Sequence, residues 1–121
     1  MTPNARVARY VGAAMRSLPS EYASRLDNVE IVVARGPSRF QLRRLGRDAE
    51  LYGLYEGVPL THRGSSYGNV TPDKITLFWE PLVRDFPSDD ALAAQVRLTV
   101  YHEIAHHFGI SDAQLANTRV E

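Results

Sequence analysis

The chain has 121 residues, enough for one domain (1–121) with a real core and too few for two. Its 44% hydrophobic and 23% charged content is ordinary globular usage, which excludes a disordered or fibrous chain. Fourteen basic residues balance fourteen acidic ones, so neither a nucleic acid nor a membrane held mainly by charge is expected as a partner. With no cysteine, disulfides and thiolate sites are excluded, and any metal must be held by His, Asp or Glu.

In chain order, Val7, Val11, Ala14, Met15 and Leu18 share one helical stripe with Pro19 close behind, so residues 3–18 are predicted to form an amphipathic helix. Arg9 and Arg16 bracket its apolar middle too tightly for a secretory or membrane segment, and a cytoplasmic protein is expected. A short helix over Glu21–Leu26 and a β-branched strand over Asn28–Ala34 follow. Arg39, Arg43, Arg44 and Arg47 around Phe40, Leu42 and Leu45 suit a short helix with a solvated basic face, ended by Gly46.

Residues 49–60 (AELYGLYEGVPL) supply a strand with a bulge or turn, residues 61–73 (THRGSSYGNVTPD) have the composition of an exposed loop, and Lys74–Trp79 (KITLFW) is the second clear strand. Pro81 and Pro87 punctuate what comes next. Ser88 is placed as the N-cap of the longest helix, with Asp89 and Asp90 in its first turn and Gly109 closing it. Ser111 and Gln114 match a capping box for a last short helix. These elements make an α+β fold, a small mixed sheet against a long C-terminal helix plus an N-terminal one.

That long helix carries three of the four histidines. Positions four apart lie about 40° apart around a helix, so His102 and His106 point the same way and can grip one ion. Glu103 is rotated by about 100°, outside a shell shared with both histidines yet near enough to reach a water beside the metal, where a general base belongs. Val96, Val100, Ile104 and Phe108 spread over the faces away from His102, which predicts a buried helix and partly desolvated histidines. A hydrolytic zinc site takes three protein ligands, so two histidines are incomplete. Gly109 can turn the chain back in a left-handed conformation and return Asp112 to the metal. Asp112 in the first turn of a last helix is also favourable without any metal, and both roles stand open at this point.

His102, Glu103, His106, Gly109 and Asp112 together read H-E-x-x-H-x-x-G-x-x-D, which resembles the extended signature of zincin metallopeptidases whose zinc site is completed by aspartate. The chain also resembles small bacterial zincin-like proteins that keep little beyond the catalytic core. The resemblance implies a minimal zincin-like domain in which His102, His106 and Asp112 hold Zn2+ and Glu103 is catalytic, acting on a peptide or protein substrate. Two features depart from the larger relatives. Both methionines, Met1 and Met15, lie upstream, so no methionine turn supports the site, and the nine residues after Asp112 leave no room for a second wall to the cleft. A zincin-derived module that binds metal or a partner without catalysis is therefore the alternative expectation. His107, about 140° round from His102, is expected to pack or to support the ligands, and His62 and Tyr67 are left as loop residues.

Overall fold

Helix α1 (Pro3–Ser17) starts where the Thr2 hydroxyl accepts a hydrogen bond from the Ala5 N–H at 3.1 Å, with Pro3 in the first turn, where its missing N–H costs nothing. It stops one residue before the predicted end, because Leu18 is extended (φ −66°, ψ 132°), as the proline behind it demands. A computed structural model describes residues 1–26, 28–45, 52–57 and 73–109, and the account below concerns these. They form α1, α2 (Ser20–Ala23), β1 (Val29–Ala34), α3 (Arg39–Leu45), β2 (Gly53–Glu56), β3 (Asp73–Phe78), α4 (Trp79–Asp85) and α5 (Asp89–His107).

The three strands run in the order β1-β3-β2, with β1 parallel and β2 antiparallel to the central β3. The fold is α+β with a small mixed sheet, as expected. Helix α3 opens with a reciprocal cap in which the Gln41 N–H donates to Ser38 Oγ and the Ser38 N–H donates to Gln41 Oε1. Phe40 and Leu42 stand exposed on it, as do Arg39 and Arg43.

Several boundaries differ from the sequence reading, and two of them bear on the central strand. Asp73, assigned to the loop, is the first residue of β3 and is 1% exposed. Trp79, assigned to the end of that strand, begins α4, where Pro81 is tolerated because first-turn N–H groups have no helical partner. Pro81, expected to punctuate the chain, thus lies in the first turn of a helix.

Alternation along β3 sends Asp73, Ile75 and Leu77 to one face. Helix α5 packs on β2 and β3, and α1 packs on α5, β1 and α4. Val7, Val11 and Ala14 from α1 meet Ile75, Leu77 and Leu82 and the α5 residues Leu92, Val96, Val100 and Ile104 in one apolar core. Leu77 lies on the central strand with no exposed surface. Leu77→Ala is expected to cost about 2–5 kcal/mol, read as a lower urea midpoint of unfolding, because little around it can collapse into the void. Among the described residues no helix is long and apolar enough to cross a membrane.

Candidate metal centre

Helix α5 begins as its sequence dictates. Ser88 Oγ accepts from the Ala91 N–H at 3.2 Å, and Asp89 and Asp90 occupy the positive end of the helix dipole. At the other end, Phe108 caps the helix and Gly109 takes φ 85°, the left-handed turn expected there. Gly109 N–H donates to His106 O at 2.9 Å, closing the turn tightly behind the histidines.

Within that last stretch, one ligand atom each of His102, Glu103 and His106 lies within 4.8 Å of the other two. The two imidazole rings are 4.7 Å apart between centroids and inclined at 65°. Glu103 Oε1 lies 3.3 Å from His106 Nδ1, so the carboxylate faces the same side as the histidines. The structure thus brings together three of the four predicted site residues. Asp112, like His62, Tyr67, Gly46 and the predicted last helix, lies outside the described residues.

Burial is distributed differently from expectation. Val96, Val100 and Ile104 are buried as predicted, but Phe108 and His106 are half-buried and Leu98 and His102 are exposed. Desolvation falls instead on Glu103, at 6% exposed. The cause is the rotation that separates Glu103 from His102, because it turns the carboxylate stem toward the sheet. Gly53 of β2 makes this packing possible. A Cβ there would meet Thr99 Cγ2 at 2.7 Å and Thr76 O at 3.2 Å, with Glu103 Cγ at 3.5 Å. Only a glycine lets β2 approach α5 so closely.

A cavity of about 280 Å³ opens beside the cluster, lined by Tyr52, Gly53, Gln95, Leu98, Thr99, His102 and Glu103. Tyr52 is braced at its edge. Its hydroxyl donates to Asp85 Oδ2 at 2.6 Å. The Arg84 guanidinium, foremost, and then this hydroxyl hold the Asp85 carboxyl down at about 2. A second cavity, between α1 and α5, shares no residue with the cluster.

His107, expected to pack or to support the ligands, is packed inside against β3. It has no exposed surface, and its Nδ1 lies 2.9 Å from Asp73 Oδ2. Asp73 itself was missed. Its signal was the alternation Asp73, Ile75, Leu77, which puts the carboxylate on the core face once the strand is started one residue earlier.

The donor set fits a borderline cation such as zinc, since two imidazoles on successive helical turns with a carboxylate beside them supply nitrogen and oxygen ligands without thiolate. A mixed sheet carrying a helix with this His-Glu-His cluster defines an α+β protein of the metal-site class. The chain belongs to the zincin-like metallopeptidase family, whose model matches residues 26–120. No curated protein gives a significant match to the chain.

Proposed function

We propose that this protein is a zinc-dependent metallopeptidase, a single minimal domain that hydrolyses peptide bonds with Glu103 as general base and His102, His106 and Asp112 as metal ligands. The observation that carries the reading is the convergence of His102, Glu103 and His106 donor atoms on one side of α5, in a chain of the zincin-like family. When bound, zinc would supply Lewis acidity, activating water and polarising the scissile carbonyl. The remaining work belongs to the chain. Glu103 takes the proton of the attacking water and passes it to the leaving amine, so no covalent intermediate is needed. The cavity along β2 and α5 offers the apolar Leu98 and the Gln95 amide to a peptide side chain.

Protein purified without chelator or nickel resin is expected to hold about one equivalent of zinc, as one site of this donor set allows. Elemental analysis checks this. A metal-free preparation that also refuses added zinc overturns the reading. Zinc binding without hydrolysis of any peptide in a varied panel would instead favour a binding module.

A further inference from the structure

Asp73 and His107 form a buried pair that the hydrolytic scheme does not use. Asp73 is 1% exposed and His107 has no exposed surface. His107 Nδ1 lies 2.9 Å from Asp73 Oδ2, and the Tyr55 hydroxyl donates to the same oxygen at 2.7 Å. In the Nδ1–H tautomer, His107 donates to this carboxylate oxygen alongside Tyr55. The Tyr55 ring also stands edge-on to the imidazole, with centroids 5.9 Å apart. The acceptor is held firmly from the other side. The Asp73 N–H donates to Asn28 O at 2.9 Å, and Gly57 packs so closely that a Cβ there would meet Asp73 Oδ1, Cγ and Cβ at 2.4, 2.5 and 2.9 Å.

The location of this pair gives it a consequence. His107 is the last residue of α5, next to His106 and two residues before the Gly109 turn. Helix ends fray, because their last carbonyls lack helical partners. Apolar packing alone lets a terminal turn rotate and slide at little cost. A directional bond to a carboxylate fixed on β3 does not. A buried polar pair is a poor source of net stability compared with well-packed apolar residues, so geometry is the better reason to find it here.

The geometry points to Asp73 as a positioning residue for the metal centre: through His107 it pins the last turn of α5 to the sheet, setting the direction of His106 and of the chain leaving at Gly109. This inference rests on the zinc reading above and names what holds its ligands in register.

The test compares zinc affinity, by competition with a chromogenic chelator, with the urea midpoint of the metal-free protein. Asp73→Asn is expected to weaken zinc binding by about 2- to 30-fold, the range of a residue that acts through its neighbours. Leu92→Ala, a core truncation toward the other end of α5, should lower the midpoint and leave zinc affinity unchanged. His107→Leu should lose affinity, and His107→Asn should restore most of it, because its amide N–H can stand where Nδ1–H stood. If Asp73→Asn does not fold, Tyr55→Phe removes one donor to the carboxylate and should weaken zinc binding by less in the same direction. Parent-like zinc affinity in the folded Asp73 variant, or in Tyr55→Phe where that variant is used instead, overturns the inference and leaves the metal reading standing. A parent protein that binds no zinc overturns both.

Discussion

Glu103→Gln is expected to keep its zinc and lose peptide hydrolysis by about two to four orders of magnitude, the usual worth of a general base. The two readouts separate because the residue sits beside the ligands rather than among the ones proposed. Glutamine has nearly the shape of glutamate, so it can fill the same buried space against Gly53 and Thr99 and still stand beside His106, whose Nδ1 lies 3.3 Å from Oε1 in the parent. What it cannot do is take a proton. Zinc content and kcat/KM on a peptide panel are the measurements. Undiminished turnover would show that the base lies elsewhere. Loss of zinc along with activity would show that Glu103 is a ligand, which the 4.8 Å cluster geometrically permits.

Asp112→Ala is expected to weaken zinc binding by more than about a hundredfold in folded protein, since losing a ligand should exceed the 10- to 100-fold usual for an outer-shell partner. If Asp112 only sat at the start of a last helix, its removal would cost at most about 1 kcal/mol of stability and leave zinc affinity nearly intact. Gly109 supplies an independent arm. Its φ of 85° is a conformation that a β-branched residue resists, so Gly109→Val should mimic the metal loss by redirecting the chain that leads to Asp112. Chelator competition and the metal-free unfolding midpoint distinguish the two roles. Parent-like zinc affinity in Asp112→Ala would assign the third ligand to another residue, even with His102 and His106 in place.

Much of the site was legible because it is local. His102 and His106 converge through nothing more than helical periodicity, and the Ser88 cap, the acidic first turn and the Gly109 turn mark the helix ends by short-range chemistry. Strand β1 was legible for a related reason, its β-branched run Val29–Ala34 fitting a pleated, half-buried surface. The reading failed where a residue's state depends on distant partners. Asp73 has a loop-forming side chain and follows a proline, so propensity favours a loop. Pairing with β1 and bonds from Tyr55 and His107 make it a strand residue instead. Trp79 and Pro81 read as strand end and breaker, yet the first turn of α4 accepts both.

The sequence by itself thus identified the cluster: His102, Glu103 and His106 project from one long helix as a group that could hold a metal. Periodicity and residue type decide those matters, because they act within one or two turns of chain. Only the tertiary structure decided which of those groups is desolvated. The apolar spread of the helix predicted partly desolvated histidines, but α5 turns Glu103 and His107 toward the sheet and leaves His102 exposed. That rotation follows from the close approach of β2 at Gly53 and from the bond between His107 and Asp73, 34 positions apart in the chain. Contacts of that separation exist only after the sheet has formed, and no local pattern in the sequence encodes their distance or direction.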